Sequence, residues 1–100
     1  MIKQAIIPLA GQGTRLLPLT SVIPKELLPI NGKPGLEYII DECIQAGIKE
    51  IIFIISKNKE NIKKYFYNDQ FYKKIIKKKR DKRIINEYKK ILKYKKLIKF

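Results

Sequence analysis

Residues 8–35, PLAGQGTRLLPLTSVIPKELLPINGKPG, hold four of the five glycines and all five prolines of the 100-residue chain. A segment so loaded resists regular structure, because proline removes a backbone donor and glycine raises the entropy cost of order. Two short apolar runs bound it, QAIIPL at 4–9 and EIIFIIS at 50–56. Each is strand-sized and each reads as a buried strand. The continuous apolar character of the second predicts a parallel sheet covered on both faces. From Pro34 the spacing of Leu36, Ile39, Ile40, Cys43 and Ile44 predicts a helix, with Gly47 as its C-cap. On this pattern Glu37, Asp41, Glu42 and Gln45 face away from the core. Strand, helix and strand make a βαβ unit with a right-handed crossover.

Further on, a short helix is predicted near Glu60–Phe66. Phe71, Tyr72, Ile75 and Ile76, then Ile84, Ile85, Tyr88, Ile91 and Leu92, mark one or two amphipathic helices. The final LIKF reads as the beginning of a third strand. Two parallel strands make a poor sheet, so the expectation is a truncated or fragmentary part of a larger α/β protein.

The net charge of +14 raises the question of a nucleic-acid partner. It is unevenly spread. Residues 1–50 balance five basic against five acidic side chains, and residues 51–100 carry 18 basic against four acidic. Lysine and isoleucine each occur 20 times, the signature of adenine- and thymine-rich codons. Base bias and a solvated helix face therefore account for the charge, while KKIIKKKRDKR at 73–83 would form the core of a rival basic nucleic-acid-binding module. One cysteine, Cys43, excludes an intrachain disulfide, and the lack of histidine excludes histidine-based catalysis. No apolar run reaches membrane-spanning length. The expectation is a cytoplasmic protein with no membrane partner.

Gly11 and Gly13 directly follow the first strand. Glycines there let the chain turn sharply, and successive N–H groups make an anion-binding concavity. The segment is neither the dinucleotide fingerprint, since position 16 is Leu, nor a Walker loop, since Lys33 precedes Pro34. Arg15 lies two residues on, where its guanidinium can fork onto phosphate oxygens. Lys25 sits in PKELLP between two prolines that stiffen its loop. Two cations on such a loop at a strand's C-terminal end fit a phosphate-bearing ligand. Taken singly, Arg15 also reads as a surface ion-pair residue, and Lys25 and Lys33 as solvated loop lysines.

LAGQGTRLLPLTSVIPKELLPINGKP resembles the signature of the sugar-phosphate nucleotidyltransferases: GxGTR, then P-x-T, then PK-x-x-LP and KP. With YIIDECIQAGIKEIIFIISKNKENIKKYF it is most similar to the UTP–glucose-1-phosphate uridylyltransferase branch. The resemblance is strong over 1–66 and looser over the basic helical 67–100. It implies the N-terminal βαβ part of a Rossmann-like α/β nucleotidyltransferase sheet, in one domain. It also implies roles. The backbone of Ala10 and Gly11 meets uracil and ribose, and Gly13 and Thr14 line the triphosphate. Arg15 polarises the reacting phosphates, Lys25 holds the β/γ or pyrophosphate end, and Glu26 accepts from a ribose hydroxyl. The implied reaction makes UDP-glucose and pyrophosphate from UTP and glucose 1-phosphate, and the expectation is that these 100 residues alone are inactive, because the rest of the family's site lies downstream. Mg²⁺ is the implied cofactor, with ligands expected downstream of this chain. Asp69 and Asp81 do not match them, and no metal ligand is assigned here. A thymidylyltransferase is the nearest alternative, and a homo-oligomer is open for the full-length protein. One departure stands out: Gly35 occupies a position where relatives usually carry Leu or Met, which predicts a looser first helical turn.

Overall fold

The computed structural model describes residues 2–9, 11, 13–56 and 59–100. Three parallel strands form the main sheet: β1 (Gln4–Leu9), β4 (Glu50–Ile55) and β5 (Ile98–Lys99), in the order β1-β4-β5. A two-residue antiparallel pair, β2 (Pro29–Ile30) with β3 (Lys33–Pro34), closes the proline-rich loop. The helices are α1 (Gly35–Gln45), α2 (Glu60–Tyr67), α3 (Asp69–Lys79) and α4 (Lys82–Leu97). The predicted βαβ unit and the third strand at LIKF are both present. β1 pairs with β4 in the register Ile6↔Ile52, and Ile51 of β4 pairs with Ile98.

Local chemistry sets the helix ends. Pro34 stands at the N-cap of α1, where a missing N–H costs nothing. The other end closes as a Schellman motif: Ile48 N–H donates to Cys43 O at 3.0 Å and Gly47 N–H to Ile44 O at 3.0 Å. The Asp81 carboxylate caps α4 by accepting from Arg83 N–H at 2.8 Å.

The core gathers on one face of the sheet. Leu9, Ile51, Phe53 and Ile98 from the strands meet Leu36 and Ile40 of α1, Ile62 and Phe66 of α2, and Ile91 and Tyr94 of α4. Each such aliphatic or phenyl group contributes roughly 1.5–3 kcal/mol by leaving water. The expectation of a sheet covered on both faces is corrected: Ile6 is 61% exposed and Ile54 57%. The steps from β1 to β4 and from β4 to β5 run in the same direction across the sheet. Right-handed crossovers taken in one direction stack their helices on one side. Strand alternation then leaves Ile6 and Ile54 on the other.

The outward orientation expected for Glu37 and Asp41 is also corrected. Glu37 is 1% exposed. Its Oε2 accepts from Tyr65 Oη at 2.6 Å, and the Lys90 ammonium lies 3.2 Å from Oε1. Asp41 accepts from Tyr94 Oη at 2.9 Å and from Lys33. The cause is that α2 and α4 fold back across α1, so α1 has a second packed flank beyond the one its apolar spacing reports. α3 is peripheral and buries no residue. It joins α4 through stacked Tyr72 and Tyr88, with ring centroids 5.1 Å apart. Among the described residues, no helix is long and apolar enough to cross a membrane.

Candidate phosphate-binding site

The chain leaves β1 at buried Leu9 and turns at once. Gly11 and Gly13 have φ of +95° and +60°, conformations that side chains disfavour. A one-turn 3-10 helix, Thr14–Leu16, follows, closed by Leu16 N–H to Gly13 O at 2.9 Å. The same carbonyl accepts from Thr20 Oγ1 at 2.8 Å. The space beside Gly13 is full: a Cβ there would stand 2.8 Å from Thr20 Cγ2 and 3.1 Å from Lys25 Cβ. After another 3-10 turn at Leu19–Ser21, a third, Lys25–Leu27, starts after buried Pro24, with Leu27 N–H bonded to Pro24 O at 2.9 Å.

The Lys25–Leu27 turn brings Lys25 to the glycines. A Cβ on Gly11 would lie 2.8 Å from Lys25 Nζ, so the ammonium occupies the space that a side chain at position 11 would take. Arg15 and Lys25 are exposed, and among the described residues neither pairs with a carboxylate. Two uncompensated cations beside a glycine turn can attract anionic oxygens, and backbone N–H groups at such a turn can approach them closely.

The other predicted site residues fall differently. Ala10 lies outside the described residues, as does the Thr14 side chain, although the Thr14 backbone opens the first 3-10 turn. Glu26 is directed inward. Its Oε2 lies 2.6 Å from Lys59 Nζ, the two side chains are 9% and 8% exposed, and its Oε1 is buried without a hydrogen-bond partner. Lys33 is tied to Asp41 and lies over the Tyr38 ring, 4.5 Å from the centroid. Burial pushes the Asp41 carboxyl up, but bonds from Lys33 and Tyr94 outweigh it and hold it below its ordinary value. Burial, then Glu42, pushes the Cys43 thiol up, away from thiolate chemistry.

Two residues of the site carried no sequence prediction. Thr20 clamps the Gly13 carbonyl, and the P-x-T spacing was its visible signal. Lys59 reaches Glu26 across 33 positions of chain. Its place just beyond the second parallel strand was the only hint, since ligand crevices gather at adjacent strand ends. The surface hollows of about 430 Å³ along α2 and about 360 Å³ between α3 and α4 are lined by residues of the helical region and none from the loop.

A parallel sheet with a cationic glycine–proline loop at the carboxyl end of β1 defines a class, the α/β proteins that hold phosphate groups at a strand end. Residues 4–75 match the Nucleotidyl transferase family model, and the chain belongs to that family. It is 53% identical over 68 residues to a UTP–glucose-1-phosphate uridylyltransferase of Mycoplasma pneumoniae, covering 68% of this chain and 23% of that protein. Its counterpart in Escherichia coli K12 is 49% identical over 65 residues, covering 65% and 22%. Among solved structures, a UTP-bound UGPase from Acinetobacter baumannii superposes with a TM-score of 0.77 at 35% identity, covering 94% of this chain and 32% of that one. The chain thus spans about a quarter of the length of these curated relatives.

Proposed function

We propose that this chain carries the triphosphate-holding part of a UTP–glucose-1-phosphate uridylyltransferase site. The observation that carries the reading is the Lys25 ammonium lodged over Gly11, on a loop where Arg15 is also uncompensated. In the reaction a phosphate oxygen of glucose 1-phosphate attacks the α-phosphorus of UTP, the bond to the bridging oxygen breaks, and pyrophosphate leaves. The nucleophile is already an anion, so no general base is required. What the chain supplies is position and charge: Gly11 and Gly13 offer N–H groups, Arg15 faces the reacting phosphates, and Lys25 takes the β/γ end. The uridylyltransferase relatives support this over a thymidylyltransferase.

Magnesium does not fit the residues present. Glu26, Glu37, Asp41, Glu50 and Asp69 are each engaged by a lysine. No three metal-ligating side chains cluster among the described residues. No step is therefore assigned to a metal on this chain. A cytoplasmic setting goes with the reading, because the lone Cys43 and the nucleotide substrate suit a reducing compartment.

The test is a UTP titration of the chain followed at the Gly11 and Gly13 amides by ¹H–¹⁵N NMR. Both should shift with UTP. Arg15→Ala and Lys25→Ala should each weaken binding by about tenfold or more, the worth of one charge-assisted contact. Unmoved glycine amides, or variants that bind as the parent does, would overturn the reading.

A further inference from the structure

Lys59 is the N-cap residue of α2, just beyond β4, and is 6% exposed. Lysine is almost never buried unless paired. Its partner is Glu26, at 2.6 Å, and both side chains are more than nine-tenths buried. The pair therefore straps together the connections that follow two adjacent parallel strands, β1 and β4. Asn61, two residues into the same helix, adds a weaker tie by donating from Nδ2 to Val22 O at 3.4 Å.

The pair is a poor device for stability. Its charges have left water, and Glu26 Oε1 is buried with no hydrogen bond. A buried pair offsets its desolvation only when the remaining lone pairs are satisfied, and an apolar pair of similar volume often serves stability better. Its placement is informative instead. Glu26 belongs to the same three-residue turn as Lys25. Anchoring Glu26 from beneath fixes the backbone from which Lys25 projects over Gly11. Lys25 itself has no carboxylate partner among the described residues to hold it there.

We propose that Lys59 is a positioning residue for the triphosphate: through Glu26 it fixes the Lys25–Leu27 turn so that the Lys25 ammonium stands over the glycine loop. The proposal rests on the nucleotide reading above and adds to it a residue from the second strand connection.

The test compares UTP and UMP binding to the chain and to its Lys59→Met, Lys25→Ala and combined variants. Lys59→Met should weaken UTP by about tenfold, as losses of supporting contacts do. It should leave UMP unchanged, since UMP lacks the phosphates that Lys25 meets. In the Lys25→Ala background, Lys59→Met should cost nothing further, because residues acting as one unit are not additive. Should Lys59→Met fail to fold, Lys59→Gln, which removes the charge facing Glu26 and leaves Glu26 itself unchanged, is judged by the same comparisons. Equal losses for UTP and UMP, or full additivity with Lys25→Ala, would overturn the positioning role. A Lys25→Ala variant that binds UTP as the parent does would instead overturn the nucleotide reading beneath it.

Discussion

Tyr65→Phe removes one oxygen from the flank between α1 and α2 and leaves the ring in place. That oxygen donates to Glu37 Oε2 at 2.6 Å, and Glu37 is 1% exposed. Without it the buried carboxylate loses its short hydrogen bond and leans on the Lys90 ammonium, 3.2 Å from Oε1. Lys90 is itself 36% exposed and solvent-screened. A hydrogen bond to a charged group is worth roughly 1.5–3 kcal/mol, and a buried acceptor left without its donor sits in the same range, so a loss of about 2 kcal/mol is expected. In a domain of this size each kcal/mol moves Tm by roughly 4–8 °C, so Tm should fall by roughly 8–16 °C. Urea unfolding followed by far-UV circular dichroism measures this directly, with the midpoint lowered and the slope unchanged.

The pH dependence of the same variant separates a hydrogen-bond effect from a packing effect. Burial, then the bond to Glu37, holds the Tyr65 phenol well above its ordinary value. A raised folded-state value means stability that is complete below the unfolded phenol's pKa of about 10. That stability is lost as pH rises through the folded value. The parent's advantage over Tyr65→Phe should therefore be flat through neutral pH and shrink above about pH 10. Tyr67→Phe is the control: Tyr67 is 41% exposed, and its change should stay within about 0.5 kcal/mol. A Tyr65→Phe midpoint equal to the parent's would refute the account of Glu37.

Gly13→Ala should destabilise by about 1–2 kcal/mol from its left-handed φ alone. It should also displace Thr20 and abolish the UTP response, read by urea unfolding and by NMR. Gly35→Ala should do the reverse. Its Cβ would meet Ile30 Cδ1 at 3.5 Å, an ordinary contact, and the φ of Gly35 is not positive. A gain of about 0.4–1 kcal/mol in urea unfolding is therefore expected. The Asp41 carboxyl is held below its ordinary value, so its contribution is present above the unfolded pKa of about 3.9 and lost as pH falls through the folded one. Asp41→Asn should therefore destabilise the chain at neutral pH, with the difference closing in acid denaturation below about pH 4. Binding to random single-stranded DNA at physiological salt should stay near the non-specific range of about 10⁻⁴–10⁻⁶ M in a filter assay; nanomolar affinity would favour the basic-module reading.

Much of the architecture was legible in the residues. QAIIPL and EIIFII are strands because short apolar runs beside turn residues have few other uses. The α1 boundaries follow from Pro34 and Gly47, and the loop's character from glycines and prolines that act locally. Gly11, Gly13, Arg15 and Lys25 stood out as candidates because a phosphate site needs backbone N–H groups and cations close together in sequence, and the structure does bring Lys25 to Gly11. The same short range explains what was out of reach. Whether a sheet face is covered depends on the direction of each crossover, so EIIFII could not reveal that Ile54 lies open. The charge of Glu37 placed it outside by rule, until Tyr65 and Lys90 arrived from α2 and α4 to compensate it. Glu26 reads like any loop carboxylate until Lys59, 33 residues away, meets it in the interior. Local backbone chemistry is written in neighbouring residues. The burial of a charge is decided by partners distant in the chain, which only the packed structure brings within a hydrogen bond's length.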